Sequence, residues 1–158
     1  MGNTIIIRLN RESPRKCSLT PIRGRSDLGI TWHHCNLGDA VEVGEVVLLH
    51  PDGERLSSQD STLPLLLIDS SWRDVPRMLA TVKGKFHLRS LPKNLITAYP
   101  RKSKVYQDPE YGLATIEALH AAKTILGQRD DSLLDGYYFG PKWLDKNTNF
   151  FSDHERVS

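Results

Sequence analysis

The sequence is short of cysteine, of long apolar runs and of net charge, and each shortage closes off a class of protein. Only Cys17 and Cys35 occur among 158 residues. That is too few for a disulfide framework, and free thiols are the expectation in a chain with no export signal. No stretch approaches the roughly 18–20 apolar residues of a membrane span. The three isoleucines of MGNTIIIRLN make too short an apolar core for a secretory signal. Ile6 stands where N-myristoylation needs serine or threonine. A cytoplasmic protein with no membrane contact is therefore expected. Repeats, low-complexity tracts and clear linkers are also missing, so one domain over 1–158 is expected.

The common catalytic signatures are missing too: no GxGxxG, no Walker loop, no HExxH and no GxSxG. Cys17, His33, His34 and Cys35 have the right chemistry for zinc but the wrong spacing. HHC is contiguous, and neighbouring strand residues point to opposite faces. No metal is expected.

Net charge is only +2, yet its order along the chain is informative. From Arg8 to Arg25 there are six basic residues against Glu12; from Asp27 to Trp72, eight acidic residues against Arg55. From Arg73 to Lys104 there are nine basic residues against Asp74. Alternating blocks suggest faces with different partners, and basic ones suit a phosphate backbone.

Short apolar segments are separated by turn signals. TIIIRL (4–9), GITWHHC (29–35), GEVVLLH (44–50), LPLLLID (63–69) and NLITAYP (94–100) read as strands, with PDGE after His50 as a turn. Ser70 or Ser71 suits the cap of a helix near Arg73 with Pro76 in its first turn. ATIEALHAAKTIL (114–126) is the clearest helix, with a packing face of Ala114, Ala118, Ala121, Ala122 and Ile125 and a stop at Gly127. On it, Glu117 and His120 read as a solvated pair rather than an acid–base pair. A last helix is expected from Asp131 or Ser132 to Tyr138. The pattern implies an α/β fold with a mostly parallel sheet and helices on both faces. In such sheets ligands sit beyond the strands' carboxyl ends, where the strand order reverses. Asp69 and Trp72 fall at one such end. Asp69 suits a helix cap as well as a functional carboxylate, and Trp72 suits core filling as well as a site.

Five stretches, in order, resemble one family. SPRKCS (13–18) resembles its D-P-K-K-C signature, which a serine or threonine follows. LLHPDGERLSSQD (48–60) resembles its L-x-P segment, and IDSSW (68–72) its V-D-C-S-W. RSLPKNLITAYP (89–100) resembles R-x-L-P-x-L-x-A-x-N-P, and YGLATIEALHAA (111–122) the L-S-x-x-E-A-x-A-A helix. The family is the ribosomal RNA aminocarboxypropyltransferases, related to the DTW-domain tRNA aminocarboxypropyltransferases. This chain departs from it at Ser70, at Ala114 and in the longer, more basic YPRKSKVYQDPEYG (99–112).

The resemblance implies a SPOUT-like α/β fold, with a motif-bearing half over 1–62 and a cofactor-binding half over 63–150 that carries a C-terminal trefoil knot. It implies S-adenosylmethionine as cofactor, transfer of its 3-amino-3-carboxypropyl group to a uridine or pseudouridine in structured RNA (rRNA or tRNA), and a monomer. By the same resemblance Leu49 and Pro51 line the adenine and ribose side, and Ile68 meets the ribose. Trp72 packs on the methionine portion. Leu95, Tyr111 and Thr115 surround the adenine, and Ser18 helps hold the methionine carboxylate. Asp69 touches the cofactor beside the reacting group and acts as the catalytic residue. The basic blocks offer Arg15, Lys16, Arg23, Arg25, Arg73, Arg77, Arg101, Lys102 and Lys104 to RNA phosphates. Two alternatives use the same scaffold: an RNA methyltransferase, and a non-catalytic RNA-binding or assembly factor.

Overall fold

A computed structural model describes residues 4–9, 19, 22, 24–36, 38–69, 75–99 and 113–155. Five strands form one sheet: β1 (Thr4–Leu9), β2 (Ile30–Cys35), β3 (Val41–Arg55), β4 (Leu65–Asp69) and β5 (Val82–Ser90). Their order across the sheet is β2-β1-β4-β3-β5, and the pairs are parallel. The helices are α1 (Val75–Leu79), α2 (Thr115–Ile125), α3 (Gly140–Lys146) and α4 (Thr148–Glu155), with a 3-10 turn at Asp131–Leu134.

Alternation along the strands sorts the side chains into two cores. Ile6, Val47, Leu65 and Leu67 face one side, where Ile116, Leu119, Ala121, Ala122, Trp143 and Phe151 of the C-terminal helices cover them. Ile7, Val46, Leu48 and Leu66 face the other, under Met78 of α1. Helices therefore lie on both faces, as expected, but unequally. A strand buried on both faces reads as an unbroken apolar run, which is why TIIIRL and LLLID are so uniformly hydrophobic. Helix α2 is buried nearly all round. It ends where Gly127 takes φ 78°, letting the Gln128 N–H return to the Lys123 carbonyl at 2.8 Å.

Four expectations change. The turn signal PDGE lies inside β3, where residues between Leu49 and Glu54 bulge away from β5 before pairing resumes at Arg89. Gly53 permits this, because a Cβ there would collide with the backbone of Leu88 and Arg89. The sequence VKGKFHLRS, counted above only as basic, is edge strand β5, with Lys83 and Lys85 exposed as is common on edges. The expected strand 94–100 is an extended segment whose described residues lie outside the sheet. The expected last helix is a short 3-10 turn, and two helices follow it. Asp130 caps the turn by accepting the Ser132 N–H at 3.0 Å, and Pro141 opens α3.

Cys35 is free and buried, and burial pushes its thiol pKa up, which marks an unreactive core residue. Cys17 lies outside the described residues. Among the described residues, no three His, Cys, Asp or Glu side chains converge to hold a metal, and no helix is long and apolar enough to cross a membrane. Trp32 and His34 share one face of β2, with ring centroids 6.3 Å apart.

Candidate active site

The strand order reverses at one point among the described strands. After β1 the chain moves outward to β2; after β4 it moves the other way to β5. Adjacent strands β1 and β4 thus flank the reversal in strand order, and a ligand cleft is expected beyond their carboxyl ends. The register sets Arg8 of β1 directly beside Asp69 of β4 at those ends. Both side chains point to the face that carries α2, since each is two residues beyond an inward partner, Ile6 and Leu67.

Asp69 is 8% exposed, and the Thr115 hydroxyl donates to its Oδ1 at 3.0 Å. Thr115 is the first residue of α2, so the positive end of that helix faces the same carboxylate. Arg8 Nε lies 3.8 Å from Asp69 Oδ2, an ion pair beyond hydrogen-bond range, with the Arg8 side chain only 3% exposed. An acid, a hydroxyl and a guanidinium therefore meet at one strand tip.

A second polar layer holds this tip in place. Glu117, fully buried, accepts four hydrogen bonds: from Thr97 Oγ1 at 2.6 Å, the Ala98 N–H at 2.9 Å, the Ala114 N–H at 2.9 Å and Tyr137 OH at 3.1 Å. Asn147 accepts the Ile96 N–H at 2.8 Å and donates to the Ile96 carbonyl at 2.9 Å. The segment 95–99 thus satisfies its backbone with side chains rather than a sheet ladder. That is why a strand-like sequence forms no strand.

His120 is also fully buried. Trp143 Nε1–H donates to its Nδ1 at 3.1 Å, so the proton sits on Nε2, which donates to Asp131 Oδ1 at 2.8 Å. Burial pushes the His120 pKa down against the opposing pull of Asp131. Asp131 is held low, first by Arg129 and then by His120. The expectation of a solvated Glu117–His120 pair is therefore overturned. Both face the interior, each with partners of its own.

Of the residues singled out in the sequence, Asp69 and Thr115 are brought into contact. Leu49 and Leu95 pack on the same core cluster beneath α2. Ile68 packs on the opposite face, and Pro51 is exposed in the β3 bulge. Ser18, Trp72 and Tyr111 lie outside the described residues, as do Arg15, Lys16, Arg23, Arg73, Arg101, Lys102 and Lys104. Arg77 is exposed on α1. Arg25 is bound to Asp27 at 2.6 Å and to the Ser132 carbonyl at 2.7 Å.

Sequence reasoning missed Arg8, Glu117, His120 and Asn147 as parts of one assembly. Arg8 carried a usable signal: a lone charge inside a β-branched, fully buried run. Counted only within a basic block, it was treated as surface charge, whereas it points inward.

The fold defines the class: an α/β domain whose parallel sheet carries a polar cluster at the carboxyl ends of β1 and β4. No established family model matches the chain. It is 32% identical over 139 residues to the 16S rRNA aminocarboxypropyltransferase of Halobacterium salinarum, covering 86% of this chain and 76% of that one. It is 31% identical over 155 residues to the protein of the same name from Vulcanisaeta distributa, covering 92% and 77%. The solved structure of the SAM-dependent rRNA:acp-transferase Tsr3 from Vulcanisaeta distributa matches with a TM-score of 0.72 at 28% identity, over 99% of this chain and 84% of that one. The chain belongs to the 16S rRNA aminocarboxypropyltransferase family.

Proposed function

We propose that this protein transfers the 3-amino-3-carboxypropyl group of S-adenosylmethionine to a uridine-type base of ribosomal RNA. Its membership of the family supports the activity. The observation that carries the reading in the structure is the Arg8–Asp69–Thr115 cluster at the reversal of strand order. This cluster also fits the cofactor: the Arg8 guanidinium has Nη1 and Nη2 buried and without partners among the described residues.

The cofactor supplies a carbon activated by a neighbouring sulfonium, so the protein needs to furnish neither a metal nor a covalent nucleophile. What the chain must do is choose which carbon faces the RNA base, a task of positioning. Apolar Leu49, Leu95 and Trp72 would enclose the nucleoside and methyl surfaces, with Ser18, Pro51, Ile68, Tyr111 and Thr115 completing the pocket. The hydroxyl of Thr115 fixes the orientation of Asp69. Asp69 then accepts the proton of the attacking ring nitrogen, or orients that nitrogen. Arg77 and the basic residues at 15–25, 73 and 101–104 would hold RNA phosphates.

The finer fold we infer is a single SPOUT-like domain with a C-terminal trefoil knot, acting as a monomer in the cytoplasm. The parallel sheet and the resemblance of the motifs support it. A crystal structure whose backbone through residues 100–112 passes around, rather than through, the preceding loop would refute the knot.

Mass spectrometry of ribosomal RNA nucleosides from a deletion strain tests the function. An aminocarboxypropyl nucleoside should vanish; an unchanged nucleoside profile overturns the reading. Cofactor labelled on its methyl group should leave the label on the released thionucleoside, and label appearing in RNA instead identifies a methyltransferase.

A further inference from the structure

The least explained side chain in the molecule is Arg8. Its Nη1 and Nη2 are buried with no hydrogen-bond partner among the described residues, and its Nε stands 3.8 Å from Asp69. A buried guanidinium normally has its donors matched, because an unpartnered buried charge is expensive. Two adjacent free donors in a planar fork match one group best, a carboxylate taken bidentately. An RNA phosphate arrives with its sugar and chain, and a side chain 3% exposed lies out of its reach. The end of a short flexible chain needs the least displacement of surrounding atoms to reach the buried Nη1 and Nη2.

The neighbours narrow the choice. Asp69 presents a carboxylate oriented by Thr115, and the N-terminus of α2 adds positive potential. Positive potential at this point favours an anion, and the amino-acid end of the cofactor carries a carboxylate that complements Arg8. The geometry points to Arg8 as the residue that binds the α-carboxylate of the group to be transferred. This rests on the proposed use of S-adenosylmethionine and adds a residue that orients the amino-acid end. Its consequence is selectivity: a cofactor lacking that carboxylate should be rejected.

The test is calorimetric titration of the full chain with S-adenosylmethionine and with its decarboxylated counterpart, repeated for Arg8→Met and Arg8→Lys. The native protein should prefer the carboxylated ligand by about tenfold to a hundredfold, the range expected of charged hydrogen bonds. Arg8→Met should lose that preference by weakening only the carboxylated ligand, and Arg8→Lys should recover part of it. Without ligand, Arg8→Met should melt lower than the native chain, since it leaves the buried Asp69 carboxylate without its ion-pair partner. Equal binding of both ligands by the native protein overturns the inference, as does an Arg8→Met variant that keeps the preference. A variant that loses both ligands equally marks Arg8 as a structural partner of Asp69 and also overturns it. If Arg8→Met does not fold, Arg8→Lys decides: an undiminished preference for the carboxylated ligand overturns the inference. Should the native chain bind neither ligand, the proposed function falls and this inference with it.

Discussion

Replacing Glu117 with glutamine changes one oxygen to an amide nitrogen and should cost far more than so small a change suggests. Each carboxylate oxygen accepts one hydroxyl and one backbone N–H: Oε1 takes Thr97 Oγ1 and Ala114 N, and Oε2 takes Tyr137 OH and Ala98 N. In Glu117→Gln the hydroxyl opposite the new NH2 can rotate and accept. The backbone N–H cannot. Either orientation of the amide therefore strands one buried donor, at about 1–3 kcal/mol, and the remaining bonds lose their charge assistance. A total near 3 kcal/mol lowers the melting temperature of a domain this size by about 6–12 °C. Glu117→Ala strands both N–H groups and opens a cavity, and should lose about 5 kcal/mol or more. Thermal unfolding followed by circular dichroism reads both, and hydrogen exchange at Ala98 and Ala114 shows which amide has been released. A Glu117→Gln variant melting within about 2 °C of the native chain refutes the account.

Three further outcomes are expected. Thr115→Val keeps the side-chain shape but removes the bond to Asp69, so stability should drop by about 1 kcal/mol while affinity for S-adenosylmethionine falls several-fold, measured by titration calorimetry. Lowering the pH from 7.5 to 5 should reduce the melting temperature in part through His120: its folded pKa is depressed, the unfolded chain takes up the proton first near pH ~6.5, and stability present above that value is lost as pH falls. His120→Gln should flatten this profile even though it lowers the starting value. Gly53→Ala should destabilise the chain by about 2 kcal/mol or more in urea titration, because its Cβ meets the β5 backbone, whereas Gly24→Ala, with open space around it, should stay within about 0.5 kcal/mol.

Much of the sheet is legible in the sequence because it is buried on both faces. The runs at 4–9 and 63–69 are nearly all apolar, GITWHHC at 29–35 alternates loosely, and the strands fall there within two residues. The long helix is legible from its alanines and the glycine that stops it. Legibility fails wherever the deciding partner is distant in sequence. The edge strand β5 needs no second buried face, so its lysines masked it. The segment at 94–100 has strand-like residues, yet its backbone is satisfied by Glu117 and Asn147, which lie 19 and 51 residues away. Asp69 could be placed at a strand tip from the apolar run before it. The inward turn of Arg8 could not, because it depends on β1 and β4 being neighbours, a fact of topology rather than pattern.

That topology also explains why the charged site sits over so elaborate a polar interior. Asp69 and Arg8 stand on adjacent strands, whose spacing the sheet fixes, while Thr115 stands on a helix that could otherwise slide. Helix α2 is prevented from sliding in two ways. Its small residues Ala121 and Ala122 are fully buried, and Glu117 and His120 lock it to the 95–99 segment and to the turn at Asp131. Hydrogen bonds are directional where apolar contacts are not, so this layer sets the helix's register as well as its depth. The three groups that the proposed function brings to one small ligand are thereby held in place beforehand, the condition under which positioning alone can accelerate a transfer. The unmatched donors of Arg8 are then the complement of that rigidity: among the described residues buried side-chain polar atoms are satisfied except at Arg8, where the proposal seats the substrate's carboxylate.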